Sequence, residues 1–276
     1  MRRQSSHAGS LALARFLSSA AVTAVLAAGL GGCQTMSDIT GSLTSSSPKA
    51  QAVADDPQRA AEVYGERYRA NPKDAEAALA YGQALRATGQ RAQAAAVLEQ
   101  ATIAHSGNKA LLAAYGRALA DNGNSQAAFD VLGRAHSPAN PDWRILSVQG
   151  TTLDKMGKHE EARRYYATAL KIVPEEPSVL SNLGLSYMLT RELPQAEETL
   201  RRAYSNPRAD ARVRQNLALV VGLQGRFAEA ETIAKGDLPA DEAAANVAYL
   251  REMLSRKDGP RNGGKTVPVA ALNRPD

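Results

Sequence analysis

Few residues in this chain have the types and spacing that chemistry needs. Gly259, Gly264, Lys265 and Thr266 satisfy G-x-x-x-x-G-K-[ST], the pattern of a phosphate-binding loop. Such a loop works between a strand and a helix whose N-terminal amides face the phosphates. Here no strand-like run precedes the match, and Val267-Pro268 follows it. No nucleotide is therefore expected at 259–266. The four histidines are His7, His105, His136 and His159. No two of them have metal-ligand spacing, and the last three fall at predicted helix boundaries, where solvated turn residues are expected. No serine stands in a nucleophile-elbow context, and no carboxylate pair stands apart from the general surface charge. The chain reads as non-enzymatic, with no catalytic residue, metal or cofactor. That leaves one cysteine, Cys33, and one tryptophan, Trp143, which begins a predicted helix and is expected to pack between neighbouring elements.

The elements that must position any binding surface are helices. Apolar residues make up 44% of the chain but aromatics only 5%, and alanine and leucine supply most of the rest. That balance favours helices packed closely through small side chains. A period of 34 residues organises the middle of the chain. Gly82, Gly116, Gly150 and Gly184 recur at that interval, with Ala218 next in step. Ala94, Ala128, Ala162, Ala196 and Ala230 form a second column. Ala101, Ala135, Ala169 and Ala203 form a third, and Leu98, Leu132, Tyr166 and Leu200 a fourth. Gly89, Gly123, Gly157 and Gly225 form a fifth, interrupted by Arg191. Each period predicts two antiparallel helices. The Gly82 and Ala94 columns are expected to face each other where the pair approaches most closely. The Gly89 column is expected to end each first helix, because glycine takes the left-handed C′ conformation at little cost.

The pattern resembles the tetratricopeptide-repeat (TPR) family over residues 57–235. The resemblance implies an all-α solenoid of antiparallel helix pairs wound as a right-handed superhelix. A half unit is expected at 56–72, full units at 75–108, 109–142, 143–176 and 177–210, and a degenerate unit at 211–238. A capping helix at 240–255 would cover the apolar face that the last unit cannot bury. Residues 256–276 read as a disordered tail. In this fold the first helices line a groove, chiefly through the second, fifth, ninth and twelfth positions of each unit. Carried over, those positions give Arg117, Arg144, Thr151, Ser181, Leu185, Met188, Gln215 and Leu219 as candidate groove residues. The middle of the groove would be polar and its C-terminal part apolar, fitting a helical or extended peptide. Asn182 and Asn216 match single positions of a peptide-carboxylate clamp, whose full pattern is absent.

The N-terminus reads as an export signal. Arg2, Arg3 and Arg15 precede an apolar run from Phe16 to Leu30, too short for the ~20 residues of a spanning helix. Leu30-Gly31-Gly32-Cys33 resembles the lipobox of bacterial lipoproteins. The resemblance implies cleavage before Cys33 and lipidation of its thiol, with several acyl chains giving lasting membrane anchorage. Gln34 follows, where an Asp often retains such proteins at the inner membrane, so an outer-membrane lipoprotein facing the periplasm is expected. Residues 34–55, rich in Ser, Thr, Gly and Ala, read as a flexible tether.

The net charge of +5 comes from the ends. Residues 1–33 and 256–276 carry +3 each, which leaves −1 for 34–255. With no basic stripe on the repeats, no nucleic-acid partner is expected.

The later stretches carry a narrower resemblance. Asn182-Leu183-Gly184-Leu185-Ser186-Tyr187, Arg214-Gln215-Asn216-Leu217-Ala218-Leu219-Val220, Gln224-Gly225-Arg226-Phe227-Ala228-Glu229-Ala230 and Ala245-Asn246-Val247-Ala248-Tyr249-Leu250-Arg251 are similar to TadD-like TPR lipoproteins of the Tad system, which assembles Flp pili. The resemblance implies protein partners, namely the outer-membrane secretin or other pilus-assembly components. Two other roles fit the same repeats: a pilotin-like lipoprotein of another envelope machine, and a scaffold presenting a cell-wall enzyme.

Overall fold

Residues 56–257 are described by a computed structural model. They form twelve helices, and among them the only extended pairing is an isolated bridge between Ser137 and Asn140. Helix α1 (Pro57–Ala70) has no first-helix partner. Five hairpins follow: α2 (Ala75–Ala87) with α3 (Arg91–Ala104), α4 (Lys109–Asp121) with α5 (Ser125–Ala135), α6 (Trp143–Lys155) with α7 (His159–Ile172), α8 (Pro177–Leu189) with α9 (Leu193–Tyr204), and α10 (Ala211–Leu223) with α11 (Phe227–Ala234). Helix α12 (Ala240–Lys257) closes the stack. It runs two residues past the expected end at 255, helped by the Arg256–Glu252 pair one turn apart. The signal, Cys33 with its lipobox, the 34–55 tether, the phosphate-loop match at 259–266 and the rest of the tail lie outside the described residues.

Each turn within a hairpin has the same construction. Glycines 89, 123, 157 and 225 take φ of 75°, 86°, 76° and 81°. The residue after each donates its N–H back to the helix, as in Gln90 N to Leu85 O at 2.8 Å and Lys158 N to Leu153 O at 2.9 Å. This is the Schellman end, which satisfies carbonyls that the helix leaves open. Arg191 breaks the glycine column in sequence but not in shape. It takes φ 64°, and Glu192 N still reaches Tyr187 O at 3.0 Å. An arginine is strained there, since its Cβ crowds the carbonyl that glycine leaves clear.

First helices begin on a second device. Asp74, Asn108, Asp142 and Asp210, spaced by the repeat or twice it, accept from the first free amides of α2, α4, α6 and α10. Glu176 holds the missing place but makes no such bond; its carboxylate takes Ser178 and Arg208 instead. Each cap contributes about 1 kcal/mol.

The small columns are buried, with a correction to their pairing. A methyl on Gly82, Gly116, Gly150 or Gly184 would meet Leu98, Leu132, Tyr166 or Leu200 at 2.5–2.6 Å. The glycines therefore seat the Leu98 column, not the side chains of the Ala94 column. Backbone of the Ala94 column comes next, with Ala128 O 3.4 Å from a methyl on Gly116 and Ala196 O 3.2 Å from one on Gly184. The reason is reach: a branched side chain one turn further along the second helix fills the space above the glycine. The Ala94, Ala128, Ala162, Ala196 and Ala230 side chains are fully buried beside this contact. At the end of the stack Gly222 plays the same part for α12, where a methyl would lie 2.5 Å from Leu250.

First helices pack on the first helices of neighbouring units, whereas second helices stand farther apart and meet through long side chains such as Arg201 and Glu229. The stack therefore curves toward the first helices, and their outer residues line its inner side. Among the described residues no helix is long and apolar enough to cross a membrane.

Two outcomes test this construction. Gly150→Ala is expected to destabilise the fold by ~1–3 kcal/mol through overpacking against Tyr166, read as a lower thermal midpoint. Arg191→Gly is expected to stabilise it by about 0.5–1 kcal/mol by relieving the left-handed strain, read in the same experiment.

Candidate protein-binding surface

Residues at the ninth position of each first helix form one column along the inner face: Gln83, Arg117, Thr151, Leu185 and Leu219. Gln83 is exposed and the other four are half-buried. Thr151 turns its hydroxyl onto Val148 O at 2.8 Å. Leu185 and Leu219 belong to none of the buried clusters, so the C-terminal half of the column presents apolar surface to the outside. Arg144 and Gln215 flank the column and are exposed.

Two candidate groove residues have other work. Ser181 is 5% exposed and accepts Asn216 Nδ2 at 2.9 Å; Ser147 is 7% exposed and accepts Asn182 Nδ2 at 3.1 Å. Each pair joins the fifth position of one unit to the sixth of the next, so these serines lie under the neighbouring helix and not on open surface. The asparagines that matched a carboxylate clamp are spent on the same bonds. Met188 packs against the Leu200–Leu217 cluster and contributes mainly to the core. The remaining candidates, Arg117, Arg144, Thr151, Leu185, Gln215 and Leu219, share the inner face.

The sixth-to-fifth junction changes chemistry along the stack. It is Ala114 over Leu79 and Val148 over Ala113, then Asn182 over Ser147 and Asn216 over Ser181. A spacing of one repeat plus one residue is the sequence signal for these contacts.

Asp154 holds a second polar junction. Its carboxylate accepts Tyr166 Oη at 2.8 Å and Ser186 Oγ at 2.7 Å, and faces His159 Nδ1 at 2.8 Å. Tyr166 stands where Leu98, Leu132 and Leu200 stand in other units, and its hydroxyl reaches past Gly150 to find this acceptor. Burial, then the Asp154 charge, pushes the Tyr166 hydroxyl far above its ordinary range, so it stays a proton donor. The group ties three elements and offers no free nucleophile. His159 is thus held by a carboxylate, and His136 is half-buried with Nε2 at 3.1 Å from Gln149 Oε1. All three differ from the solvated turn residues expected, since His105 is half-buried too, with its Nε2 at 2.8 Å from Lys73 O. Trp143 is half-buried against the Leu146–Tyr166 cluster, and the Arg144 guanidinium lies 4.5 Å above its ring.

Ion pairs lock the later units on the opposite side. Arg163 reaches Glu192 of the next unit at 2.7 Å. One unit on, the charges are exchanged: Glu197 takes Arg226, with Gln224 Nε2 at 2.8 Å and Arg201 at 2.7 Å. Burial pushes the Glu197 carboxyl up, but hydrogen bonds from Gln224, Arg201 and Arg226 outweigh it and hold it below the usual range.

The tetratricopeptide repeat family model matches residues 82–142 and 148–212. The match covers those two stretches, and the fold is a solenoid of helix pairs of the TPR kind. No curated protein matches the sequence. Among solved structures, PilW, titled a widely conserved type IV pilus biogenesis factor, is 18% identical with a TM-score of 0.61, over 72% of this chain and 96% of that one. PilF of Pseudomonas aeruginosa is 17% identical with a TM-score of 0.52, over 66% of this chain and 92% of that one. A chain of the APC/C hetero-tetramer Cut9-Hcn1 gives 14% identity and a TM-score of 0.58, over 75% of this chain but only 42% of that one. At these identities the likeness shows the fold alone.

Glu197 sets a pH dependence. Its folded pKa lies below the unfolded value, so its stabilisation is present above the unfolded pKa and is lost as pH falls through the folded one. The thermal midpoints of wild type and Glu197→Gln are expected to differ most above about pH 5 and to converge as pH drops below about 4.

Proposed function

We propose that this chain is a non-enzymatic, lipid-anchored scaffold of the bacterial outer membrane that holds a polypeptide along its first-helix face during pilus assembly. The observation that carries the scaffold reading is the ninth-position column, half-buried and apolar at Leu185 and Leu219 with no core cluster to absorb it. Apolar side chains left on an inner face are what a bound peptide covers. The finer reading draws on three supports. The run ending in Leu30-Gly31-Gly32-Cys33 fits export and lipidation. The segments at 182–187, 214–220, 224–230 and 245–251 resemble TadD-like lipoproteins of the Tad system, whose partner would be the secretin or its periplasmic neighbours. The fold is shared with PilW, a type IV pilus biogenesis factor. That last likeness favours a second reading, a pilotin-like role in a type IV pilus machine.

Cell fractionation and cross-linking test the proposal together. Wild type is expected in the outer-membrane fraction, cross-linked to a pilus-assembly component. Cys33→Ser is expected to leave an unlipidated form outside that fraction and to abolish piliation. Normal pili in that variant would remove the lipid anchor from the mechanism. Cross-links confined to type IV pilus proteins would favour the second reading.

A further inference from the structure

One cation on the inner face has no partner. Arg117 is half-buried at the ninth position of α4, and among the described residues its guanidinium makes no ion pair or hydrogen bond. Its nearest charged neighbours include two more arginines, Arg86 on α2 and Arg144 on α6. Arg86 is committed to Asp121 at 2.7 Å. Arg144 has no ion pair among the described residues; it rests on the Trp143 ring at 4.5 Å, which fixes its direction and leaves its N–H groups open. Burial first, and then repulsion from Arg86 and Arg144, pulls Arg117 below its ordinary value, with Asp142 and Asp121 opposing.

A partly desolvated charge beside two like charges destabilises the free fold. The nearby carboxylates relieve it only in part: neither bonds Arg117, since Asp121 is bonded to Arg86 and Asp142 caps α6 through Arg144 N at 2.8 Å. Other polar groups of the inner face are also taken, since Asn182 and Asn216 bond Ser147 and Ser181. The arginines come from three consecutive units, so the cationic surface is longer than one carboxylate. Further along the same column the surface turns apolar at Leu185 and Leu219.

We propose that Arg117, flanked by Arg144 and Arg86, is the anion-binding anchor of this face, and that it takes carboxylate side chains of an acidic segment of the partner, whose apolar continuation lies along Leu185 and Leu219. This rests on the scaffold reading and specifies its ligand. Guanidinium groups suit carboxylates because their donors pair in parallel. The acidic end of the segment lies over units one to three and the apolar end over units four and five.

The test uses the full chain in detergent and a fluorescein-labelled, C-terminally amidated peptide with four glutamates followed by a leucine-rich half. Fluorescence anisotropy is expected to show binding about tenfold tighter than for the same peptide with glutamines. Arg117→Gln and Arg144→Gln are each expected to weaken it about five- to tenfold. Arg134→Gln, on a second helix, leaves it unchanged, and added salt weakens it. The thermal midpoint of Arg117→Gln is expected to stay level or rise, because a repelled charge is removed. A fall of more than about 4 °C would assign Arg117 to structure and overturn the proposal. So would equal binding of the glutamate and glutamine peptides, or tighter binding of a free C-terminus. If Leu185→Ser weakens both peptides while the arginine variants change nothing, the anchor is wrong and the scaffold reading survives. If neither substitution matters, both fail.

Discussion

The contact on which everything else depends is a glycine under a large side chain. At Gly82, Gly116, Gly150 and Gly184 the first helix comes so close to the second that a single methyl would lie 2.5–2.6 Å from Leu98, Leu132, Tyr166 or Leu200. No real Cβ tolerates that distance, so each hairpin closes only where the side chain is absent. The branched residue above then fills the space to interior density. Because the contact repeats at a constant interval, each hairpin repeats the last, and stacking follows from the sameness of the units.

Stacking leaves two kinds of surface. Second helices splay apart on the outside, and first helices crowd on the inside. The junctions between first helices need not be apolar, and here they change along the chain. Early junctions are alanine, valine and leucine, and later ones are Asn–Ser hydrogen bonds. The outer ion pairs are likewise confined to later units, where Arg163–Glu192 and Glu197–Arg226 carry exchanged charges. Such pairs stabilise little individually at a surface. Their exchanged signs do favour one order of neighbours, since a displaced unit would set like charges together.

The inner face inherits its character from this scaffold. Small or buried residues at the fifth and twelfth positions, such as Ala113, Ala120, Ser147 and Ser181, form its floor. The ninth position stands above them, and its residue types determine what the face can hold. Arg117 and Leu185 occupy equivalent places two units apart, one cationic and one apolar, on backbone of the same shape.

Helix pairs and turn glycines were legible in the sequence, because each is a local requirement repeated at a fixed spacing. A glycine at C′ or an apolar column needs only its own helix to explain it. The caps at Asp74, Asn108, Asp142 and Asp210 obey the same local rule. The tertiary structure decided which side chains meet. It set the glycines under the Leu98 column instead of opposite the Ala94 side chains, buried Ser181 beneath Asn216, and left Arg117 half-buried between Arg86 and Arg144 with no carboxylate bonded to it. Those outcomes join residues about one repeat apart through the rise and rotation between units, and a period in the sequence states the repeat without stating that rotation.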